Sequence, residues 1–374
     1  MTETKTGTAI LIGSSDARIW GMSAAERLRR QLKRVGYADV RETADALPAD
    51  AHILVLRVDY AYEQRLIDAL VKRPGSALRS GQTLVAAHVR GDQAAAAAAA
   101  LAGAGPLPAS VETLDSEALA GAYNFQLRKR EIAYVMPLDA AAVKEVESRS
   151  FAGSYKGVTD VVTKYVWPAP AKIVTKWCSE HGISPNQVTL FGLVLMFVAL
   201  GLFWTGHYVV GLLFAWVMTF LDTVDGKLAR TTMTYSKFGD VLDHGIDLVH
   251  PPFWWLAWIV GLNAYGLPVA HPELMIWIIF GGYIFQRIEE GVFQLLFGMH
   301  MHVWRPFDSF FRLITARRNP NLVILTPFAL IGRPDIGIIL VVWWIAICLL
   351  VHLAQIVQAL IAKRRGPVTS WLSA

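Results

Sequence analysis

Only two cysteines, Cys178 and Cys348, occur in 374 residues. They are far apart and sit in different apolar settings, so a disulfide framework and a four-ligand zinc site are both excluded. Each reads as a small apolar packing residue. The opening residues, Met-Thr-Glu-Thr-Lys-Thr-Gly-Thr, lack a basic stretch followed by an apolar run, so no cleaved signal peptide is expected. Polar residues are also too few for an ordinary soluble enzyme of this length: 54% of the chain is hydrophobic and the mean hydropathy is +0.39. Membrane spans are therefore expected. The formal net charge of +5 is modest, its placement matters more than its sum, and no nucleic-acid partner is expected.

Apolar runs are missing from the first 140 residues at any length that could cross a membrane. Short strand candidates stand at Thr8–Ile12, Ile53–Val58 and Thr83–Val89, and helical spacing marks Ala24–Val35 and Tyr60–Val71. Alternation of this kind predicts a soluble α/β, Rossmann-like domain with a mostly parallel sheet. The alanine run Ala94–Ala100 is a good helix former, and Gly103–Pro108 reads as a turn or linker. From 141 to 185 a linker follows. Val158, Val161, Val162, Tyr165, Val166, Ile173, Val174 and Trp177 make an apolar stripe interspersed with Lys156, Lys164, Lys172 and Lys176, broken by Pro168 and Pro170. A basic, aromatic amphipathic segment lies in the headgroup plane or packs on the soluble domain.

Six spans are predicted in an α-helical membrane domain over 186–365, at 187–206, 208–222, 238–261, 274–298, 320–333 and 336–361. Basic residues are nearly absent from one side. The turn at Gly206-His207 and the loop Gly261–Glu273 have none, and only Arg333 stands near the next. The other side carries Lys227, Arg230, Lys237, Arg305, Arg312, Arg317, Arg318, Lys363, Arg364 and Arg365. The positive-inside rule then places both termini and the α/β domain in the cytosol of a cell (inner) membrane protein. Arg287, Glu289 and Glu290 fall inside the fourth span, either as functional groups or as an internal Arg287–Glu290 pair. Arg312, Arg317 and Arg318 suit an acceptor phosphate, anionic headgroups or simple topology.

Against this apolar background stands Asp222-Thr-Val-Asp225-Gly226-Lys227-Leu-Ala229-Arg230, then Gly239-Asp240-Val-Leu-Asp243-His244-Gly-Ile-Asp247. Asp222 and Asp225 share one helix face, Asp243 and Asp247 another. Carboxylates this close repel unless cations lie between them, and an all-oxygen set suits Mg²⁺ or Mn²⁺. Gly226 and Gly239 let backbone approach a ligand, and Arg230 offers a fork for phosphate. Together they read as phosphoryl chemistry on a nucleotide. His244 and His250 flank the acids and stay unassigned, because hard metals prefer oxygen.

The spacing D-x2-D-G-x2-A-R-x8-G-x3-D-x3-D resembles the signature of the CDP-alcohol phosphotransferase (phosphatidyltransferase) family, with every fixed position filled; Asp240 is an extra acid. The resemblance covers about 185–365, with Ser184–Thr189 resembling the entry to the first span. It implies transfer of a substituted phosphate from a CDP-alcohol donor to an alcohol acceptor, with release of CMP. It also implies metals on Asp222, Asp225, Asp243 and Asp247, and Asp247 as general base. Asp222, Gly226, Ala229, Arg230 and Gly239 would line the CDP site, and the enzyme would be a homodimer among membrane lipids. Leu11–Arg18 resembles a degenerate glycine-rich loop of sugar nucleotidyltransferases, and Asp59 weakly resembles their metal-binding aspartate. With one glycine in the loop and no Pro-Lys pair beyond Arg18, the expectation is an inactive, structural domain. The alternatives are a bifunctional enzyme that makes its own CDP-polyol, told apart by CTP turnover, or a cation carrier or scaffold.

Overall fold

A computed structural model describes residues 7–235 and 237–373, without the side chains of Lys237, Phe238, Asp240, Leu242, Asp243 and His244. In its first third, strand Thr8–Ile12 lies between Asp39–Arg41 and His52–Arg57, parallel to both. His52–Arg57 then pairs antiparallel with Thr83–Arg90. That strand pairs antiparallel with Ser76–Ser80, beside which Glu112–Leu114 runs parallel at the edge. The sheet is mostly parallel, as expected, with Thr83–Arg90 alone reversed, for a local reason. Ser76–Ser80 and Thr83–Arg90 are joined by two residues, Gly81 (φ +59) and Gln82, and a connection that short joins only antiparallel strands. Ile53, Leu54, Val55 and Leu56 are fully buried, as a central strand covered on both faces must be.

Helices α1 (Ala24–Arg34), α2 (Gln64–Lys72), α3 (Ala94–Leu101) and α4 (Ser116–Ala120) accompany the sheet. The Ser23 hydroxyl caps α1 by accepting from the Glu26 amide at 3.2 Å. The helix predicted from Tyr60 starts only at Gln64, because Tyr60–Tyr62 pairs as a strand with Val135–Pro137. Beyond the sheet come α5 (Val143–Gly153), a π-turn at Val162–Val166 and α6 (Pro168–Glu180). Pro168 opens α6 at a position where its missing N–H leaves nothing unpaired. Ala171, Thr175 and Cys178 turn inward, while Ile173 and Trp177 are exposed.

The rest is helical: α7 (Pro185–Trp204), α8 (Tyr208–Thr231), α9 (Lys237–Tyr265), α10 (Pro272–Phe297), α11 (Pro306–Phe311), α12 (Arg318–Leu330) and α13 (Pro334–Lys363). A helix stands at each of the six positions expected of a span. Among the described residues, α7, α8 and α13 are long and apolar enough to cross a membrane; α12 has only 13 residues. Apolar side chains such as Phe191, Phe197, Trp343 and Leu350 point outward, which in water would be a liability and in lipid is not. The Ser184 and Gln187 side chains close a capping box at the start of α7.

The sheet domain and the helices share one buried cluster. It runs from Leu28 and Leu32 of α1 through Ala171 and Cys178 of α6 to Val224 and Leu228 of α8. Arg27, 2% exposed, donates to the Thr231 carbonyl at 2.7 Å, and Arg30 to that of Thr232 at 2.8 Å. These are the orphan carbonyls at the negative end of α8, where a cation is favoured. Arg27→Ala should therefore cost about 1–3 kcal/mol by leaving a buried acceptor unpaired. A lowered unfolding midpoint in detergent would show it, and an unchanged midpoint would remove this contact from the account.

Candidate active site

Helix α8 runs on beyond its apolar stretch, through Asp222 and Asp225, to Thr231. Asp225 is 3% exposed. Its Oδ2 accepts from the Thr189 hydroxyl of α7 at 2.5 Å, and its Oδ1 is buried with no partner among the described residues. Asp222 faces the same small cleft between α7, α8 and α9, lined also by Val188, Gly192, Met218 and Ile246. Asp247 of α9, next in the chain to the lining residue Ile246, has a side chain 44% exposed, against 20% for Asp222. Arg318, the first residue of α12, forks between the two acids. Its Nη2 donates to Asp222 Oδ2 at 2.5 Å and its Nη1 to Asp247 Oδ1 at 2.6 Å. The structure thus brings Asp222, Asp225 and Asp247 together.

A buried carboxylate oxygen without a donor is costly. The partnerless Asp225 Oδ1, beside a second acid and in an all-oxygen set, suits a hard cation. Among the described residues no three acids or histidines stand close enough to hold an ion, since the Arg318 guanidinium occupies the space between Asp222 and Asp247. The side chains of Asp243 and His244, like the extra acid Asp240, lie outside the described residues. At Gly226 a Cβ would sit 3.0 Å from Arg230 Nη2, the far end of a flexible side chain of the same helix. The guanidinium lies back over α8 with its Nε buried and unpartnered. Ala229 is half-buried beside it, and Gly239 lies in the first turn of α9.

Other charges resolve differently. Lys227 turns away from the acids: it is 3% exposed, donates to the Ser154 carbonyl at 3.2 Å and sits 3.5 Å over the Tyr155 ring. Glu290 does lie 3.8 Å from Arg287, but it also accepts from His302 at 3.1 Å and from Arg317. Of the three arginines considered for an acceptor phosphate, Arg317 and Arg318 are engaged by carboxylates, and Arg312 keeps a buried, unpartnered Nη1. His250 is a packed core residue whose Nδ1 meets the Ile246 carbonyl at 2.6 Å. Thr189 and the bridging role of Arg318 carry no mark in the sequence beyond a charge at the mouth of a span.

In the α/β domain, the loop after Thr8–Ile12 is taken up by the chain itself. Ser15 donates to the Leu138 carbonyl at 2.7 Å, and the Trp20 amide and indole donate to Glu147 and Ser150 of α5 at 3.0 and 2.9 Å. Both Asp59 oxygens are held by Arg57, at 2.9 and 2.6 Å. A loop that bound nucleotide phosphates would hold such donors toward the ligand.

Comparison with known proteins bears on the α8–α9 region. Residues 182–304 match the family model described as CDP-alcohol phosphatidyltransferase. Archaetidylinositol phosphate synthase of Pyrococcus horikoshii is 37% identical over 78 residues, 21% of this chain and 42% of that protein. Phosphatidylinositol phosphate synthase of Mycobacteroides abscessus is 28% identical over 190 residues, 41% and 83% of the two chains. Rat cholinephosphotransferase 1 is 28% identical over 130 residues, 31% of each. The chain thus spans less than half the length of the rat and Pyrococcus relatives. Residues 182–304, with the paired acids of α8 and α9 inside them, are a domain of the CDP-alcohol phosphatidyltransferase family.

Proposed function

We propose that this protein transfers a substituted phosphate from a CDP-alcohol to the hydroxyl of a second alcohol, with release of CMP. The observation that carries the reading is the buried Asp225 Oδ1, without a partner among the described residues, in one cleft with Asp222, which Arg318 ties to the half-open Asp247. Asp222, Asp225, Asp243 and Asp247 would hold Mg²⁺ or Mn²⁺, a pair of which would neutralise the charge that grows on the transferring phosphate. Asp247 is the most open of the placed acids and the one an acceptor can reach. Its carboxylate takes the hydroxyl proton as the acceptor oxygen bonds to the β-phosphorus and the bond from that phosphorus to the CMP oxygen breaks. Gly226, Ala229, Arg230 and Gly239 line the CDP side, with Arg230 donating to phosphate oxygens. No protein nucleophile is required.

All six helices from α7 to α13, the short α11 excepted, are read as spans. The acids and the α/β domain face the cytosol on the positive-inside argument. The exposed Ile173 and Trp177 of α6 lie in the headgroup plane. Residues 1–140 act as a structural domain without nucleotidyl transfer; the self-bonded loop and the Arg57–Asp59 pair support that. The donor is CDP-diacylglycerol or a CDP-polyol. Two of the relatives are named for inositol phosphate products, which favours a polyol phosphate as acceptor.

The test is CMP release by purified protein with Mg²⁺ or Mn²⁺, in a matrix of CDP-diacylglycerol and CDP-inositol against inositol phosphate, glycerol phosphate and lipid acceptors. CMP from one donor–acceptor pair alone is expected. No CMP from any pair, in protein that binds CDP-alcohol, would overturn the catalytic reading. CMP is not expected to need CTP, and CDP-polyol formed from CTP would restore the two-activity alternative.

A further inference from the structure

Four cations from both halves of the chain meet beside the acid site. The hairpin of Tyr123–Asn124 and Lys129–Arg130 carries Arg128 in its turn. Arg128 takes the left-handed conformation (φ +51), which a non-glycine residue adopts at a cost. The turn is fixed from two sides. The Asn124 side chain accepts from the Leu127 amide at 3.0 Å, and the Gly157 amide donates to the Leu127 carbonyl at 2.7 Å. A Cβ on Gly157 would stand 2.6 Å from the Arg128 carbonyl, so only glycine admits this approach, and it brings Lys156 beside the turn. The Phe125 ring stacks on His300, 5.6 Å between centroids, and ties the hairpin to the segment after α10.

The result is positive charge with little to balance it. Burial, then the fields of Arg128, Arg230 and Arg312, hold Lys156 below its ordinary pKa of 10.5. Burial and Arg312 likewise lower Arg128. Burial and Arg128 bring His300 down to about 4, so it stays neutral near pH 7. Lys227 of α8, two residues from Asp225, donates to the Ser154 carbonyl at 3.2 Å, two residues before Lys156, which sets the group beside the acid-bearing end of α8. Glu290 pulls on Arg128 but is already engaged by His302 and Arg317. Buried nitrogens of three of these residues, Arg128 Nε, Arg230 Nε and Arg312 Nη1, have no partner among the described residues. Lys156 itself is open to solvent though surrounded by protein, as a side chain on the wall of a cleft is.

Repulsion, strain and unpaired donors are tolerated together where a ligand of opposite charge relieves them. We infer that Arg128, Lys156 and Arg312, with Arg230 at their edge, bind a phosphate monoester dianion, so that the α/β domain supplies one wall of the acceptor site. Guanidinium forks match phosphate oxygens in pairs and the lysine adds a point charge. A monoester carries close to two charges near pH 7, whereas a neutral acceptor gives this group nothing to hold. That the ligand is the acceptor rests on the transferase reading; that the site binds phosphate does not.

The experiment uses the full-length protein in detergent, without donor. Calorimetric titration with inorganic phosphate should give saturable binding. Arg128→Gln and Lys156→Gln should each weaken it about tenfold or more, and Arg128→Lys should retain part of it. Unfolding midpoints near that of the wild type show that the variants are folded. A second arm measures capture on phosphatidic acid vesicles against phosphatidylcholine vesicles. In turnover, Arg128→Gln should raise KM for a phosphorylated acceptor with little change in kcat. Phosphate affinity unchanged in both Gln variants, or no phosphate binding by the wild type at millimolar concentration, overturns the site. Loss of both phosphate binding and vesicle capture, with KM for a phosphorylated acceptor unchanged, overturns the acceptor assignment in favour of a lipid headgroup. Phosphate binding that depends on Arg128 in a protein releasing no CMP would sink the transferase reading and leave the anion site standing.

Discussion

Asp247→Asn is expected to lower CMP release by about 10²–10⁴-fold, the range that a positioned general base contributes, while CDP-alcohol still binds. The substitution is close to isosteric, and the amide oxygen of asparagine can still accept from Arg318 Nη1, which meets Asp247 Oδ1 at 2.6 Å. The lost properties are negative charge and basicity. Asp225→Asn tests something different. That carboxylate is 3% exposed and held by Thr189, out of reach of an acceptor hydroxyl, so its loss should weaken metal dependence and turnover together. Single-turnover CMP release and a direct CDP-alcohol binding curve, measured on both variants, separate the two roles. Near-normal turnover in Asp247→Asn would remove the base assignment and leave Asp247 as a ligand or a partner of Arg318.

The acids could be found in the sequence because their placement is local. Asp222 and Asp225, and Gly226 with Arg230, meet at helical spacing, and helix geometry alone carries them to one place. The partners of these groups are not local. Thr189 reaches Asp225 across 36 positions, and Arg318 reaches Asp222 across 96. Nothing in a run of letters distinguishes Arg318, which bridges two acids, from Arg312, which bridges none. The same limit hid the grip of Arg27 and Arg30 on the end of α8, more than 200 positions away. In the α/β domain the long apolar strands were legible. Ser76–Ser80 was not, being partly polar, and the two-residue turn after it is what reverses Thr83–Arg90. Arg128 shows the point most sharply. From its neighbours it is one basic residue in a polar turn; its strain, its approach to Gly157 and its companions exist only in the folded chain.

Arg318→Met should make the stability of the protein depend on Mg²⁺ more steeply than that of the wild type does. In the wild type the guanidinium neutralises Asp222 and Asp247, with a side chain only 12% exposed. Methionine keeps much of the volume and removes the charge. Three acids then face one cleft without a cation, and breaking a buried ion pair by removing one partner costs about 3–5 kcal/mol. The lower end applies here, because Asp247 is 44% exposed and water screens it. Added Mg²⁺ binds the same oxygens and so stabilises the folded state by mass action. The guanidinium competes for those oxygens in the wild type, where the Mg²⁺ effect should be smaller. Unfolding midpoints of both proteins, in EDTA and in millimolar Mg²⁺, give four values. A drop in the variant in EDTA that Mg²⁺ largely restores is the expected pattern. A drop that Mg²⁺ leaves untouched would mean that the acids need Arg318 as a structural counter-ion and that metal binds elsewhere. Turnover adds a further discrimination. If Arg318 only holds the acids apart until metal arrives, the variant saturated with Mg²⁺ should retain much of its kcat. If Arg318 also donates to the transferring phosphate, kcat should stay low however much metal is supplied.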